Sequence, residues 1–585
     1  MTKTGMNEFD IVAAIDFGTT YSGYAYCSKN DFKQQPPYIK TSAWRSGTGT
    51  SDKFMKTPTT VLFDKDETFH SFGFEAEKKY LNLVLRNQHE TWYFFRNFKM
   101  RLHQKEADKT NDRLTLGSIL EDEKGKSIKA IDVFTCSIRY LKEHLLGVLV
   151  EQGMKDKDEA MQKIQWVVTV PAIWTDPAKE FMKEAAIRAG IDENKLLLAL
   201  EPEAASLCCW SMHNQSPDGR EIITPGMSYT VLDMGGGTVD IVTHRVEENR
   251  ALTEIHPPVG GDWGGTRVNS SFLNLLIKLV GAPIITKFKN EKFYDYLEMM
   301  IEFEIKKQFI SLENDEEVVL KVPESLVKMF EDESDEKLTD VIQQSTMEGD
   351  VEWTSGRLIV QPERFKSLFS VSIDNIKSKL KEMFKENGSR DVSTLLLVGG
   401  FSESPVLKKA IRDTFKDKRI VVPEHPSMAI LKGAVIYGHA PLTVQTRICK
   451  YTYGFMAVKP IQTSERNVPF SRTIQGGSLE AGFFDKLVEV GQSVDVGRHQ
   501  VTKTYNKVSP YQSSMILMMY SSTEKNPESV SDDSCTLLGD LTISLPSDPR
   551  AEVVVYTTFS DTHLLVKAEE KKTRQKVTAR FHFLS

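Results

Sequence analysis

The order of hydrophobic and polar positions divides the chain into two regions of different character. Up to about residue 440, short apolar segments such as 166–170 and 394–398 alternate with longer segments of helical periodicity such as 131–150. This alternation is typical of an α/β fold. Beyond it, short segments of alternating polarity follow one another, separated by turn residues, which predicts an all-β sandwich. The predicted boundaries are residues 8–440 for the α/β domain, 441–452 for a linker and 453–585 for the β-sandwich.

Two glycine-containing turns, each between two predicted strands, are the strongest functional signal in the α/β region. Residues without a Cβ let the backbone approach a ligand and direct its N–H groups at a phosphate. One such turn is also compatible with an ordinary flexible loop, but two copies favour phosphate binding by a duplicated domain. The turn residues are Gly18, Thr19, Thr20 and Tyr21 in the first copy and Gly235, Gly236, Gly237 and Thr238 in the second.

Aspartates beside both turns predict a cation. Asp16 ends the strand before the first turn, and Asp233 and Asp240 flank the second. These carboxylates would face a bound polyphosphate with negative charge, which is tenable only with a hard cation such as Mg²⁺ between them. The sequence therefore predicts a metal-nucleotide ligand.

Two segments outside the turns carry candidate catalytic groups. Glu201 lies where a strand runs into a helix, and it could polarise a water molecule or be an acid favoured by the helix dipole. Lys99 and Arg101 follow an aromatic-rich stretch. Either could stabilise charge on a γ-phosphate, or both could be solvated surface cations.

Two further segments are candidates for contact with a nucleotide. Gly260 and Gly261 belong to a glycine-rich turn, predicted at residues 259–265, at the head of a helix. Its backbone could meet a phosphate, or the segment could be a loop alone. Lys307 lies on the charged face of a helix, which is usually only solvated.

Composition narrows the class of protein. A chain of 585 residues is expected to form two to four domains. The net charge of −7 gives no basic excess for nucleic acid. The longest apolar stretch, at residues 272–280, is interrupted by polar residues and too short for a membrane span. The N-terminus lacks the apolar core of a secretory signal, which predicts a cytoplasmic protein, or one that is also nuclear. The six cysteines show no paired spacing, so neither disulfides nor a zinc site is predicted.

Taken in order, these motifs resemble the seventy-kilodalton heat-shock chaperone family, and its divergent twelfth subfamily of the A group in particular. The two glycine turns resemble its phosphate motifs, and residues 169–172 with 201–205 resemble its first connecting segment. Residues 397–400 resemble its adenosine motif. The resemblance implies a duplicated ribonuclease-H-like, actin-like ATPase domain of two lobes, followed by a peptide-binding β-sandwich. It also implies ATP or ADP with Mg²⁺ as cofactors, and extended peptide clients and co-chaperones as partners.

The resemblance also assigns roles to individual residues. Asp16 and Asp233 would hold Mg²⁺ largely through water, and the two turns would grip the phosphates. Glu201 and Asp240 would orient or deprotonate the attacking water, while Thr238 would contact the γ-phosphate. Lys99 is favoured over Arg101 as the catalytic lysine, and Pro171 would relay the nucleotide state. The adenosine side would be formed by Gly260, Gly261, Lys307, Gly399, Gly400 and Phe401.

The chain departs from the family at four places, one of which is the second connecting segment, at residues 425–428. Phe401 stands where the family has a serine followed by an arginine that stacks on adenine, so Phe401 is expected to do the stacking. Residues 441–446 replace the family's leucine-rich interdomain linker. The chain ends where the helical lid would begin, so a bound peptide is expected to be unclamped.

Three functions are compatible with these features. The first is a chaperone-like protein that hydrolyses MgATP slowly and binds extended apolar peptide by strand addition. The second is a nucleotide-binding scaffold or regulator with little ATPase activity, indicated by the departures. The third is a metabolite kinase, which the appended β-sandwich disfavours.

Overall fold

We describe the protein from a computed structural model of the chain. The structure describes residues 9–45, 53–103, 114–211, 223–249, 251–310, 316–354, 356–386, 389–440, 444–460, 471–474, 477–559 and 564–581. In these ranges no single helix is long and apolar enough to cross a membrane, although one pair of helices, bent by 111° at Gly281, passes the same test together. All six cysteines are free thiols.

A mixed sheet built on a β-hairpin forms the first half of the α/β region. The hairpin strands pair antiparallel, and the first of them also pairs in parallel with a strand from later in the chain. Its central residues are buried and apolar, as expected for a strand covered on both faces. In spatial order the strands are Leu196–Leu200, Ile164–Val170, Ile11–Phe17, Tyr21–Ser28 and Lys40–Thr41, with Thr57–Pro58 also pairing with Tyr21–Ser28.

A second sheet repeats this arrangement. It too is built on an antiparallel hairpin whose first strand pairs in parallel with a later strand. In spatial order the strands are Arg419–Val421, Thr394–Val398, Ser228–Met234, Val239–Val246 and Leu252–Gly261, followed by Val444–Ile448 and Ser493–Asp495. The first five strands have the order and directions of the first sheet, so the two halves share one topology, as a duplicated domain requires.

Helices cover both sheets, and two of them form a core between the sheets. Helices Glu201–Ser211 and Ala429–His439 pack there against strands of both sheets. The other helices are Lys29–Phe32, Phe74–Leu85, Ala130–Glu151, Lys157–Lys163, Asp176–Arg188, Gly265–Val280, Ala282–Glu291, Phe293–Phe309, Glu324–Ser334, Leu338–Gln344, Pro362–Ser367, Ser370–Met383 and Pro405–Thr414. Short 3₁₀ helices span Phe98–Leu102, Glu193–Lys195, Gly400–Glu403 and Pro426–Met428.

Within the described ranges, the α/β region also contains four small sheets. They are formed by Trp44–Arg45 with Lys53–Phe54, by Thr60–Phe63 with Phe69–Phe72 and Tyr93–Arg96, by Ile119–Glu121 with Ser127–Lys129, and by Val318–Lys321 with Arg357–Val360 and Val351–Thr354.

The C-terminal region consists of two antiparallel sheets packed around one apolar core. The alternation of buried and exposed residues along its strands is typical of a sandwich. One sheet contains, in spatial order, Ser471–Ile474, Gly477–Val488, Thr452–Pro460, Ser514–Ser522 and Cys535–Ser544. The other contains His499–Asn506, Glu552–Phe559, Leu564–Glu570 and Lys576–Phe581.

Two segments differ from the expectations of the sequence. The segment expected to be a linker contains the strand Val444–Ile448, which pairs with Leu252–Gly261. The glycine-rich segment at 259–265 is strand up to Gly261, and the helix begins at Gly265. Both differences arise from pairing with distant strands, which a local pattern does not contain.

Candidate functional site

The two glycine turns meet at the centre of the α/β region. A Cβ atom on Gly236 would lie 2.3 Å from Thr20 Oγ1, and one on Gly237 would lie 2.7 Å from Thr19 Oγ1. A Cβ on Gly18 would lie 2.2 Å from the carbonyl oxygen of Tyr21. Because real Cβ atoms do not approach other atoms so closely, the contact between the turns requires glycine at 236 and 237, and the path of the first turn itself requires glycine at 18.

Hydrogen bonds hold both turns in place. Thr59 donates its hydroxyl to the carbonyl of Gly18 at 2.9 Å, and its backbone N–H to the carbonyl of Thr20 at 2.8 Å. In the second turn, the carbonyls of residues 235–237 accept from the backbone N–H groups of residues 264–266. Because these bonds engage the carbonyl groups of both turns, they fix the conformation of the turns.

A cavity of about 500 Å³ opens beside the two turns. It brings together residues that are far apart in the sequence, from both sheets and from the helices that cover them. The predicted site residues in its lining are Asp16, Gly18, Thr19, Thr20, Tyr21, Lys99, Glu201, Asp233, Gly235, Gly236, Gly237, Thr238, Lys307, Gly399, Gly400 and Phe401.

A buried ion pair lies at the wall of this cavity. Lys99 Nζ donates to Glu201 Oε1 at 2.9 Å, and the two side chains are 5% and 9% exposed. The Lys99 ammonium also lies 5.1 Å from the centre of the Trp174 ring. Lys99 therefore faces the cavity, whereas Arg101 is not part of its lining. Burial raises the pKa of Glu201, since the charged form loses its hydration.

A second ion pair, which sequence reasoning missed, holds Asp16. Lys56 Nζ lies 2.6 Å from Asp16 Oδ2, and the Thr169 hydroxyl donates to Asp16 Oδ1 at 3.1 Å. Burial alone would raise the pKa of Asp16, but Lys56 and Lys99 lower it. Lys56 lies in a polar stretch without a recognisable motif, so no sequence signal marked it.

Asp233 and Asp240 face each other across the second hairpin, where they are directly paired residues. Burial, with Glu201, Asp240 and Asp16 nearby, raises the pKa of Asp233 well above its usual value. Burial and Glu201 raise the pKa of Asp240 to about 7. Asp240 Oδ2 accepts from the backbone N–H of Ile173 at 3.5 Å. Asp240 Oδ1 is buried and has no hydrogen-bond partner among the described residues.

The carboxylates of Asp16, Glu201, Asp233 and Asp240 form a cluster suited to a hard cation, which prefers oxygen ligands. Within the described ranges, however, no three Asp, Glu, His or Cys side chains are close enough to hold a metal ion by themselves. Magnesium usually keeps several waters and is bound by one or two carboxylates together with phosphate oxygens. The residues present therefore fit a metal that enters with a phosphate ligand, held by Asp16 and Asp233.

Asp240, Gly260 and Gly261 do not line the cavity. Gly260 pairs with Asp240 and Gly261 with Val239, in the strand behind the second turn. A Cβ on Gly260 would lie 2.1 Å from the carbonyl oxygen of Val239, so glycine serves strand packing there. Gly265, at the start of the following helix, lines the cavity instead.

Lys307 and Phe401 line the cavity, but most of their contacts are with other side chains and backbone groups of the protein. The Lys307 ammonium donates to Glu304, Asn269 and the carbonyl of Gly265 at 2.6 to 2.8 Å, and it is 2% exposed. The Phe401 ring is 4% exposed and stacks on Phe369 with an interplanar angle of 12°. These contacts join the surrounding helices.

Gly399 lies in the segment that resembles the adenosine motif and packs against Asp233. Its φ is +83°, and a Cβ there would lie 2.6 Å from Asp233 Oδ1. Its N–H donates to the carbonyl of Pro426 at 3.0 Å. Glycine is required both by the backbone conformation and by the nearby carboxylate.

The loop at residues 172–174 links the cavity to the chain that enters the β-sandwich. Lys450 Nζ donates to the carbonyls of Ala172 and Trp174 at 2.6 and 3.0 Å. Burial lowers the pKa of Lys450 to about 7. Since Ile173 contacts Asp240 and Trp174 lies under Lys99, this loop touches Lys450 on one side and the cavity residues on the other.

A second contact anchors the same chain segment. Arg447 donates to both carboxylate oxygens of Glu203, at 2.6 and 3.2 Å, and lies 3.7 Å from Glu254. The backbone N–H of Ile448 donates to Glu254 at 3.1 Å. Glu203 is in the first turn of the helix that Glu201 begins, so this contact also lies close to the catalytic candidates.

Comparison with known protein families and sequences agrees with the motifs. The family model for Hsp70 protein matches residues 12–276. Heat shock 70 kDa protein 12A of Mus musculus is 31% identical, with 99% of this chain and 92% of that protein aligned. Heat shock 70 kDa protein 12B of Homo sapiens is 30% identical, over 99% and 91% of the two chains. Chaperone protein DnaK of Methanothermobacter thermautotrophicus is 24% identical over 51% of this chain and 45% of its own.

The α/β region is thus an actin-like ATPase domain of mixed α/β content, as in Hsp70 proteins. The match to the mouse 12A protein and to the human 12B protein extends through the β-sandwich. This chain belongs to the seventy-kilodalton heat shock protein family and matches its divergent twelfth subfamily.

Proposed function

We propose that the protein is a chaperone-like ATPase that binds MgATP in this cavity, hydrolyses it slowly and uses the nucleotide to control peptide binding by the β-sandwich. The observation that carries the proposal is the contact between two glycine turns beside a buried Lys99–Glu201 pair. On this proposal the two sheets of equal topology form the cores of two lobes, with the nucleotide between them. ATP binding and chaperone activity are the expectation for Hsp70-family relatives.

The cavity residues divide into phosphate-binding and proton-transferring groups. The turn N–H groups bind the phosphates, and Lys99 stabilises negative charge that develops on the γ-phosphate. Glu201 orients the attacking water and accepts its proton. Asp240 stands behind as a second acceptor, because a carboxyl with a pKa of about 7 can take up a proton at neutral pH. Bound Mg²⁺, held by Asp16 and Asp233, would neutralise phosphate charge.

Communication with the β-sandwich would run through the loop at 172–174. A displacement of this loop changes the position of Trp174 under Lys99 and of Ile173 beside Asp240. The same loop is held by Lys450 from the chain that enters the β-sandwich. Nucleotide state and domain docking therefore bias the same element, which is the physical requirement for coupling.

The partners proposed for the β-sandwich are extended, apolar peptide segments of unfolded proteins, together with co-chaperones. A sheet edge can add a peptide strand through main-chain hydrogen bonds, with side-chain pockets providing selectivity.

The second candidate function is a nucleotide-binding scaffold with little hydrolysis. The contacts of Phe401 and Lys307 favour it, because these groups are committed to the protein rather than free to hold adenine. On this alternative the cavity binds nucleotide and stabilises one arrangement of the domains without turnover.

Single-turnover hydrolysis of bound ATP separates the two candidates. The wild-type protein is expected to convert bound ATP to ADP. Glu201→Gln should retain ATP binding but hydrolyse it at least about a hundredfold more slowly, the usual contribution of a general base. Glu348→Gln, at an exposed position away from the cavity, is the charge-matched control. Tight binding by the wild type without turnover would establish the scaffold instead.

A further inference from the structure

Lys56 is a cation of the cavity with no role in the function proposed so far. Its side chain is 16% exposed and lines the cavity together with Phe54 and Met55. Asp16 Oδ2, at 2.6 Å, is the one hydrogen-bond acceptor of its ammonium group among the described residues. An ammonium group has three N–H donors. The contact with Asp16 therefore leaves two donors for a ligand in the cavity.

The backbone around Lys56 is anchored on its N-terminal side. The carbonyl of Met55 accepts from the Ser42 hydroxyl at 2.9 Å, and Trp44 Nε1 donates to the same hydroxyl at 2.8 Å. A Cβ on Gly23 would lie 3.1 Å from both Lys56 Cγ and the Met55 carbonyl oxygen. The strand residue opposite Asp16 is thus a glycine against which the lysine stem packs.

The chain is anchored on the C-terminal side as well. Thr57 is 1% exposed and its hydroxyl accepts from the backbone N–H of Phe74 at 3.1 Å. Thr57 also pairs with Ser22 in the first sheet. A cation on a chain segment that is hydrogen-bonded on both sides loses little conformational freedom when a ligand binds.

The balance of charge in the cavity shows what such a cation can do. Lys99 is paired with Glu201, and Lys307 with Glu304. The charged residues of the lining are Asp16, Lys56, Lys99, Glu201, Asp233, Glu304, Lys307 and Glu403. Without Lys56, the carboxylate of Asp16 would repel a polyphosphate in the absence of a divalent metal. Lys56 compensates the negative charge of Asp16, and its ammonium group also faces the cavity. A charge-assisted hydrogen bond from an ammonium group to phosphate is among the stronger hydrogen bonds in proteins.

We propose that Lys56 is a second phosphate-binding cation, which makes nucleotide binding by this protein only weakly dependent on divalent metal. The proposal rests on the proposed nucleotide site and assigns to it a charge-compensating residue. Lys56 stays hydrogen-bonded to Asp16 and donates its remaining N–H groups to phosphate oxygens. A metal that enters with the nucleotide then adds to this compensation instead of being required for it.

The test is the affinity of the full chain for a fluorescent ATP analogue, measured in Mg²⁺ and in excess EDTA. The wild type is expected to lose less than about tenfold in affinity on removal of the metal, and Lys56→Gln about tenfold more than the wild type, on the scale where tenfold is about 1.4 kcal/mol. Lys56→Arg retains the charge and should behave like the wild type. Lys65→Gln, at an exposed loop position, is the matched control.

Two results overturn the inference. One is an equal loss of affinity in EDTA for the wild type and Lys56→Gln. The other, which needs no variant and so holds even if Lys56→Gln fails to fold, is a wild-type loss of more than about a hundredfold, or about 2.7 kcal/mol. Absence of wild-type binding in Mg²⁺ would instead overturn the proposed nucleotide site itself.

Discussion

At the scale of single residues, four buried carboxylates lie in the cavity wall or directly behind it, and two of the cavity's lysines, Lys56 and Lys99, lie beside them. Asp16 and Glu201 each have a lysine partner at hydrogen-bond distance, whereas the part of the chain that the structure describes offers none to Asp233 and Asp240. Burying an ionised carboxylate without a counter-charge costs free energy. A cation bound beside Asp233 and Asp240 would therefore stabilise their ionised forms. The metal of a bound metal-phosphate complex would supply this positive charge.

The raised pKa of Asp240 predicts how the stability of the nucleotide-free protein changes with pH. Its folded-state pKa of about 7 exceeds its usual value of 3.8. The stabilising contribution of the protonated form is therefore complete below pH 3.8 and is lost as pH rises through about 7. Asn cannot ionise, so Asp240→Asn should lose less thermal stability than the wild type between pH 5 and pH 7.

The measurement is the thermal unfolding midpoint at pH 5, 6 and 7 for both proteins. Asp391→Asn, at an exposed aspartate, is the control and should follow the wild type. An Asp240→Asn protein whose midpoint changes with pH just as the wild-type midpoint does would show that Asp240 does not titrate in this range.

The phosphate-side residues could be identified from the sequence, because a strand that ends in Asp before a glycine turn is a local pattern with a physical meaning. Gly18 and Gly236 are predicted to approach a phosphate, which stays a prediction, and the structure shows that both also lie close against residues of the two turns. Lys56 could not be identified, because its role depends on a contact 40 residues away in the chain. Gly260 is predicted to meet a phosphate or to lie in a loop; the structure places it in a strand paired with Asp240, which only the assembled sheet determines.

At the scale of elements, the two halves of the ATPase domain are joined by a close helix crossing. A Cβ on Gly433, in helix Ala429–His439, would lie 1.6 Å from the carbonyl oxygen of Ala204 in helix Glu201–Ser211. The second helix begins at Glu201, so the position of a catalytic candidate depends on this contact.

Gly433→Ala is therefore expected to destabilise the protein, by about 2–3 kcal/mol or more, because backbone atoms have to move. Gly147→Ala is the matched control in another helix, Ala130–Glu151, where an added Cβ has no neighbour within 4 Å. There the better helix propensity of alanine should stabilise by up to about 1 kcal/mol.

Thermal unfolding midpoints of the two variants decide the matter. The crossing is tight as described if Gly433→Ala lowers the midpoint while Gly147→Ala keeps or raises it. Equal midpoints for both variants would mean that the helices separate at little cost.

The elements themselves were predictable to different degrees. Buried central strands such as Thr394–Val398 are continuous apolar runs and are recognisable by themselves. The strand Val444–Ile448 is predicted as part of a linker, because the segment stands where the resembling family has its interdomain linker. It is a strand because Leu252–Gly261 offers a free edge, which is a property of the assembled sheet.

At the scale of the whole molecule, the β-sandwich is docked on the ATPase domain through charged contacts in a buried setting. Arg447 compensates Glu203, and Lys450 is bound by the carbonyls of the loop that also contacts the cavity. Strand Ser493–Asp495 of the C-terminal region pairs with Val444–Ile448 and so extends the sheet of the ATPase domain. Both features place domain docking and the proposed nucleotide site on one continuous set of contacts.

The central claim is that nucleotide in the cavity controls the grip of the β-sandwich on peptide. The most direct measurement is the rate at which a labelled, extended apolar peptide dissociates from the protein after addition of ATP or of ADP. The account predicts dissociation about tenfold or more faster with ATP, corresponding to a coupling of at least about 1.4 kcal/mol. It also predicts that Lys450→Met, which removes the donor to the loop at 172–174, abolishes most of this difference. Equal rates with ATP and ADP in a wild-type protein that binds both would contradict the claim.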